Sequence, residues 1–482
     1  MINALMEKYR KFPKQVKASF WFVVCGFLQK AISLLTTPIF SRLLSTSDYG
    51  VFSVFTTWEN IIIIIASLNL ASGVYLRGLI KFEDDKDEFT ASLQCLYTIN
   101  TLAVFVIYVL FSSFWSRLFD LPFRYVCLMF VDILVTVAFH FWSARQRVDF
   151  LYKALVGVTL LNAILKPGLG ILGVLLCADK IQARIYTMVL ADVLVFGYFF
   201  IDTFRTRGLR ISTKYWKYAL NYNLPLVPHY LSQTVLNQSD RIMINSIVGS
   251  SAAGIYSLAY SASVILTIVN QSVLNSYNPW MYKKIRDKEY DSIGEVSVML
   301  LILIGVLNLF LIALAPEAIA ILAPPAYYEA IWVIPPVSMS VFFMFMYSLF
   351  ANFEFYYEKT KLMMVASVSG AALNIFLNSV FIHKYGFLAA GYTTLVCYLC
   401  YCVFHYIIMR QIIKKELHGL PIYNIRMILL LSVLFVGAGF LFMAFYEHTF
   451  IRYGLIAVML LICLWKKNAI IGTLKRLKLE KK

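Results

Sequence analysis

Two short stretches of this chain have similar sequences. Residues 43–53 are LLSTSDYGVFS, and residues 247–257 are IVGSSAAGIYS. Each combines an apolar helix end, a small polar turn, a glycine, and then a β-branched residue, an aromatic residue and a serine. A match of this kind at a fixed offset indicates an internal duplication.

The helices that precede the two stretches carry polar residues in the same register. The matched pairs are Gln29 with Gln233, Ser33 with Asn237, Thr37 with Arg241, and Ser41 with Asn245. Positions four apart share one helical face, so each helix presents a polar stripe. His229 lies one turn before the second stripe and extends it.

Composition assigns the chain to the membrane. Of its 482 residues 60% are hydrophobic and only 14% are charged, which excludes an ordinary soluble domain. A membrane helix needs about 20 mostly apolar residues. Scanning with that window predicts about 14 transmembrane helices, near 18–44, 50–76, 90–114, 122–144, 151–176, 182–203, 219–248, 254–279, 294–315, 330–352, 361–382, 387–409, 424–446 and 449–465.

The distribution of basic residues predicts the orientation. Most Lys and Arg fall in the N-terminus, in alternate connections and in the tail, above all in residues 8–17, 205–217, 283–288 and 466–482. Short cytoplasmic loops collect such residues, so both termini are expected in the cytoplasm. The net charge of +17 is then an orientation signal that also suits anionic membrane lipids, and nucleic acid is not expected as a partner.

Six predicted helices separate the two copies of the repeat, so both copies cross the membrane in the same direction. We therefore expect an all-α, polytopic membrane protein with two six-helix lobes related by an axis along the membrane normal. The predicted domains are an N-lobe at 1–210, a C-lobe at 211–415, and two appended helices with a basic tail at 416–482.

Several predicted spans contain charges, which cost about 2.5–3.5 kcal/mol each at the bilayer centre and need a reason. Lys30, Lys166 and Arg241 are expected to line a water-filled cavity between the lobes and to attract an anionic substrate. Arg77 is expected near its cytoplasmic mouth and Arg42 near its outer rim. Pro167 follows Lys166 and removes a backbone hydrogen bond at that depth.

Four acids lie in the same spans, namely Glu59, Asp132, Asp192 and Asp240. They are either counter-ions to the basic residues or groups that couple an ion to transport. A simpler alternative is internal ion pairing, of Asp240 with Arg241 or of Lys30 with Glu59.

No motif predicts a cofactor, a metal or an enzyme. The eight cysteines fall inside apolar runs, as small hydrophobic residues do. The histidines lack metal-ligand spacing, and no nucleotide-binding or hydrolase motif is present.

Residues 38–50, PIFSRLLSTSDYG, resemble the first-helix signature of the polysaccharide transporters, the Wzx-type O-antigen and capsule flippases. Residues 228–241 and 254–260 are similar to the seventh and eighth helices of that family. The family belongs to the superfamily of the multidrug exporters and the lipid II flippase.

The resemblance implies two lobes around a cavity, alternating access, and a substrate of oligosaccharide on undecaprenyl diphosphate in the bacterial inner membrane, as in lipopolysaccharide assembly. Polysaccharide polymerase and glycosyltransferases of the pathway are the implied partners. On this reading, the pyrophosphate is bound by Lys30, Arg241, Lys166, Arg42 and Arg77. The glycan is bound by Gln29, Ser33, His229, Gln233, Asn237, Asn245, Asn374 and Asn378.

Two other functions stay open. A multidrug or cation antiporter of the same superfamily would need a cavity dominated by acids and aromatic residues. A membrane-embedded polymerase or glycosyltransferase is a weaker alternative, because a polymerase would be expected to have a large external loop.

Overall fold

The computed structural model describes residues 13–465, which are almost entirely α-helical and contain no β-strand. The predicted all-α class is confirmed. The predicted basic tail at 466–482 and the part of the N-terminal basic segment before residue 13 lie outside the described residues.

The chain divides by its contacts into two compact units, Met1–Gly254 and Ile255–Lys482. The sequence placed this boundary near residue 210. The difference arises at helix Val227–Ile247, which packs along helix Thr46–Ser67 and so joins the first unit.

The first unit consists of ten helices within its described part. They are α1 Lys14–Leu43, α2 Thr46–Ser67, α3 Val74–Lys81, α4 Lys86–Leu110, α5 Ser112–Phe119, α6 Phe123–Val148, α7 Tyr152–Leu176, α8 Lys180–Arg207, α9 Thr213–Asn223 and α10 Val227–Ile247.

A long helix, α11 Ser250–Arg286, begins in the first unit and continues in the second. The remaining α-helices are α12 Asp291–Ala313, α13 Ala315–Leu322, α14 Ile334–Tyr356, α15 Thr360–Tyr385, α16 Leu388–Glu416, α17 Ile425–Ala444 and α18 Thr449–Trp465.

Within residues 13–465, 12 helices are long and apolar enough to cross a membrane. The two other predicted spans coincide with α10 and α18. The polar stripe lowers the hydropathy of α10, although its 21 residues are enough to span. Helix α18 is apolar but has only 17 residues. The prediction of a polytopic helical membrane protein is thus confirmed.

Helix α2 ends earlier than its apolar run suggests. The sequence predicted a span to residue 76, whereas the helix stops at Ser67. Leu68 and Asn69 follow with φ of 51° and 49°, which is the left-handed conformation that terminates helices. Asn adopts this conformation readily. A single Asn within a long apolar run, however, does not predict the end of a helix from the sequence.

The two copies of the repeated turn meet where α2 and α11 begin. A Cβ on Gly50 would lie 1.8 Å from the Ser250 carbonyl oxygen, and a Cβ on Gly254 would lie 2.1 Å from that of Thr46. Thr46 and Gly50 occupy the repeat positions of Ser250 and Gly254. The contact is therefore reciprocal, and only glycine permits the two backbones to approach so closely.

The last helix is anchored by a buried arginine. Arg452, 2% exposed, donates from Nη1 to the Ala313 carbonyl oxygen at 2.9 Å and from Nη2 to Glu317 Oε1 at 2.5 Å. Burial raises the pKa of Glu317, but hydrogen bonds from Arg452 and Tyr453 outweigh it and hold that pKa below its ordinary value. Tyr446 donates to the Ile312 carbonyl oxygen at 2.7 Å. The C-terminal segment thus caps the end of α12.

We predict that Gly50→Ala destabilises the protein by about 2 kcal/mol or more, because the added methyl group collides with backbone that cannot move aside. Thermal unfolding in detergent micelles measures the effect. Gly157→Ala is the matched control, since a Cβ there has nothing within 4 Å. The control should be neutral or slightly stabilising. Equal melting temperatures for the two variants would contradict the close approach.

Candidate functional site

Four helices of the first unit bring ionisable side chains together at membrane depth. They are Glu59 on α2, Asp132 on α6, Lys166 on α7 and Asp192 on α8. The charge of Lys166 interacts with all three carboxyl groups. We refer to these four residues as the charged cluster.

Asp192 is held by two residues one turn apart on α7. Lys166 Nζ lies 2.5 Å from Asp192 Oδ2, and Asn162 Nδ2 donates to Asp192 Oδ1 at 2.8 Å. Asp192 is 1% exposed, whereas the Lys166 side chain is 32% exposed. The Lys166 side chain is therefore paired with Asp192 and still partly exposed.

Glu59 and Asp132 are two carboxyl groups whose charges act on each other and on Lys166. Neighbouring carboxylates repel each other, and a proton on either group would relieve that repulsion. Asp132 is buried and its Oδ1 has no hydrogen-bond partner. The cluster thus combines an ion pair with a pair of neighbouring carboxyl groups.

The cluster contains an ion pair that the sequence did not suggest, that of Lys166 with Asp192. Glu59 interacts through its charge with Lys166 and Asp192 rather than with Lys30. Glu59, Asp132 and Asp192 are brought together, and Asp240 is buried on α10. The pairing of Asp240 with Arg241 stays a prediction.

The predicted cations of the first helices lie at exposed positions. Lys30 is exposed on α1, together with Gln29 and Ser33. Arg42 is exposed at the end of the same helix and donates to the Pro38 carbonyl oxygen at 2.9 Å. That bond caps the helix, so Arg42 has a structural role whether or not it binds substrate.

Arg77 is exposed on α3, and its guanidinium carbon lies 5.6 Å from the centroid of the Tyr222 ring. Tyr222 belongs to α9, so this contact connects two short helices of the first unit. Arg77 is not among the residues whose charges interact within the cluster.

The second polar stripe follows α10. His229, Gln233, Asn237 and Arg241 are half-buried along this helix. Asn237 Nδ2 donates to the Gln233 carbonyl oxygen at 2.7 Å. The stripe predicted from the sequence is therefore present as one partly accessible helical face.

Asn245, the last residue of that stripe, has a structural partner. It is buried, and its Nδ2 donates to Asp120 Oδ2 at 2.7 Å. Two turns earlier on the same helix, Gln238 Oε1 accepts from Asn60 Nδ2 of α2 at 3.2 Å. These amide contacts hold α10 to the rest of the first unit.

Asn374 and Asn378 lie inside the second unit and have no exposed surface. Asn378 Nδ2 donates to Asn374 Oδ1 at 3.1 Å, and Asn378 accepts from the Thr393 hydroxyl. Asn374 also donates to Thr394 Oγ1 at 3.5 Å. They connect α15 to α16 and do not reach an open surface here, so contact with a glycan remains a prediction that requires the helices to part.

Sequence reasoning missed Arg184 on α8. It is 8% exposed, and its guanidinium carbon lies 3.9 Å from the Phe40 ring centroid and 4.5 Å from that of Phe52. Its Nε and Nη1 have no hydrogen-bond partner. An arginine one turn inside a predicted span was the available signal, but its aromatic partners come from other helices.

A second buried ionisable pair was also missed. His405 Nδ1 lies 2.6 Å from Glu354 Oε1 in the second unit, and both side chains are buried. Among residues 13–465, no group of three or more His, Cys, Asp or Glu is arranged to hold a metal ion.

Comparison with known proteins identifies the family. The sequence model of the family described as "Polysaccharide biosynthesis protein" matches residues 16–285, more than half of the chain. The chain belongs to this family. It is also 21% identical over 376 residues to "Lsg locus putative protein 1" of Haemophilus influenzae, covering 74% of this chain and 88% of that protein.

Solved structures of similar fold are membrane transporters. "Lipid II flippase MurJ, inward closed conformation" matches with a TM-score of 0.67 and 14% identity, over 93% of this chain and 99% of that one. A multidrug resistance MATE family transporter of the MOP superfamily, inward-facing, matches with a TM-score of 0.62 and 12% identity, over 80% and 95%. At such identities the likeness shows the fold alone.

We predict that Asp192→Asn destabilises this polysaccharide biosynthesis family member by about 2–3 kcal/mol, because Lys166 loses its counter-ion while partly buried. Lys166→Met should cost a similar amount. The double variant should be less destabilised than the sum of the two, with a coupling of about 1–2 kcal/mol. Chemical denaturation in micelles measures all three.

The matched control is the pair of Lys284 and Glu289, 2.6 Å apart but with a Glu289 side chain that is 63% exposed. Glu289→Gln should change the stability by at most about 1 kcal/mol. Strict additivity of the Lys166 and Asp192 variants would show that the two side chains do not interact in solution.

Proposed function

We propose that this protein is a flippase for a lipid-linked oligosaccharide. Its substrate would be a glycan repeat unit on undecaprenyl diphosphate, moved from the cytoplasmic to the outer leaflet by alternating access. Membership of the polysaccharide biosynthesis family and a fold shared with a lipid II flippase support the proposal. The observation that carries it is the charged cluster.

A diphosphate at membrane depth needs cations, because Coulomb attraction is far stronger there than in water. Lys166 offers an ammonium group on a side chain that is 32% exposed. Arg241 is half-buried on the second stripe, and Lys30 is exposed on the first. In the proposed mechanism these three bind the diphosphate. Arg77 would contact it near the cytoplasmic mouth before it reaches them, and Arg42 near the outer rim after it leaves them.

The glycan would contact the neutral polar residues of the two stripes. Gln29 and Ser33 are exposed, and His229, Gln233 and Asn237 are half-buried. Amide, hydroxyl and imidazole groups both donate and accept, which suits sugar hydroxyl groups.

The carboxyl pair provides a route by which protons influence transport. Its charge acts on Lys166, the same group that would bind the diphosphate. When Glu59 and Asp132 share a proton, Lys166 faces less negative charge and attracts an anion more strongly. When the proton leaves, the extra carboxylate repels the diphosphate. Proton binding and substrate binding would then favour each other by the same factor.

We place the protein in the bacterial inner membrane with both termini in the cytoplasm. Glycosyltransferases that build the lipid-linked unit and a polymerase that consumes it would act directly before and after it. Accumulation of lipid-linked oligosaccharide on the cytoplasmic face of a deletion strain would support this place in the pathway.

The function is tested by replacing the cations. Lys30→Ala, Lys166→Ala and Arg241→Ala should each lower surface polysaccharide about tenfold or more at normal protein levels, because each removes a charge-assisted contact. Lys30→Arg keeps the charge and serves as the control, with export close to wild type. Normal export by the triple variant would rule out this diphosphate site.

The proton linkage has its own test. Binding of undecaprenyl diphosphate to the purified protein should tighten about tenfold between about pH 8 and pH 5. The variant with both Glu59→Gln and Asp132→Asn removes the titrating charge, so it should bind tightly at both pH values. Glu289→Gln, far along the sequence and exposed, should keep the wild-type slope. An unchanged slope in the double variant would exclude the pair as the titrating group.

One observation favours a second function. The charged cluster contains three carboxyl groups and a single lysine, a balance that also suits a cationic substrate. The fold is shared with a multidrug resistance transporter. Drug efflux that depends on Asp132, together with normal surface polysaccharide in the deletion strain, would favour this antiporter.

A further inference from the structure

A basic cavity of 480 Å³ lies at the end of the first unit where α1 begins and α6 gives way to α7. Its lining includes Lys14, Lys17 and Lys153, together with Phe150 and Leu151. None of the charged cluster lines it, so it is a separate site.

Three lysines give the cavity a basic lining. No Asp or Glu is among the residues within 13–465 that line it. The nearest acid in the sequence, Asp149, bonds elsewhere with its carboxylate, to Lys86 at 3.6 Å and to Arg145 at 3.8 Å. Three lysines around one cavity therefore create a potential that attracts an anion.

The geometry of the loop holds Lys14 close to the cavity. Lys14 Nζ donates to the Asp149 carbonyl oxygen at 3.2 Å, which ties the start of α1 to the loop. Phe150 has a φ of 55°, and the Leu151 N–H then returns to the Gln146 carbonyl oxygen at 2.8 Å. Helix α7 starts at the next residue without a side-chain cap, which adds the positive end of its dipole.

The apolar part of the lining distinguishes a lipid from a soluble anion. The Phe150 and Leu151 side chains are 36% and 43% exposed at the rim. They lie where membrane-spanning helices begin and end, which is the depth of lipid head groups. A ligand that carries a phosphate beside an acyl chain would contact both the lysines and the apolar residues of the lining. Basic pockets between helices at this depth suit lipid head groups.

We propose that this cavity binds the phosphate-bearing head group of an anionic membrane lipid. The three lysines bind the phosphate, and Phe150 and Leu151 contact the start of the hydrocarbon chain. Lipid binding at this site does not depend on transport. The proposal can therefore be tested independently of the flippase proposal.

The test uses the full chain in phosphatidylcholine nanodiscs, with native mass spectrometry to count retained ligand. The probes are phosphatidylglycerol, undecaprenyl diphosphate and inorganic pyrophosphate. In the cavity variant Lys14, Lys17 and Lys153 are replaced by Gln. In the control variant the exposed residues Lys217, Lys283 and Lys288 are replaced by Gln, which removes the same charge elsewhere.

We expect phosphatidylglycerol to bind the cavity variant about tenfold more weakly, which corresponds to about 1.4 kcal/mol, and the control variant nearly as well as wild type. If undecaprenyl diphosphate instead is the probe that loses binding, the lipid phosphate site stands and its occupant is the transported class of lipid. Unchanged binding of both lipids, or an effect on pyrophosphate alone, would overturn the proposal.

If the triple variant fails to fold, a second measurement on the wild-type protein tests the proposal. A photoactivatable phosphatidylglycerol is bound to the wild-type protein, and the labelled peptides are mapped. Labels should concentrate in residues 14–17 and 146–154, and excess unlabelled phosphatidylglycerol should remove them. Labelling spread evenly over the helices would contradict a defined site, as would failure of Lys153→Glu to reduce it.

Discussion

The structure depends on how charge is accommodated in hydrocarbon. An isolated ammonium or carboxylate group at membrane depth is unfavourable, so each must be paired, hydrogen-bonded or neutralised by a proton. Lys166 and Asp192 use the first solution, with Asn162 completing the set of bonds. In the proposed mechanism Glu59 and Asp132 use the last one. Because the two solutions lie beside each other, a change of protonation in one alters the electrostatics of the other.

Most of the secondary structure could be predicted from the sequence. Hydropathy identifies helices whose backbone must be satisfied internally in a bilayer. Even α10, too polar for a stricter hydropathy criterion, was predicted as a span near 219–248 by the scan for apolar windows. The end of α2 was not predicted, because the left-handed conformation of Leu68 and Asn69 depends on two residues within a long apolar run.

The candidate site was predictable only in part. The sequence showed which ionisable residues lie in the membrane, but pairing depends on which helices are neighbours. Glu59 therefore meets Asp132 rather than Lys30, and Asn378 meets Thr393 inside the second unit. Arg184 was missed because the two rings that hold it come from α1 and α2. The duplicated turn was a stronger signal, and its glycines meet each other in the fold.

The anchoring of α18 has a consequence for how this protein is made. Carbonyl groups at the end of α12 accept hydrogen bonds from Tyr446 and Arg452, which are synthesised more than a hundred residues later. Until the ribosome delivers those residues, the end of α12 depends on water or on the insertion machinery for partners. Biogenesis of the second unit is therefore completed only near the end of translation, and a nascent chain that stops before Arg452 would present quality-control proteases with an unfinished helix end.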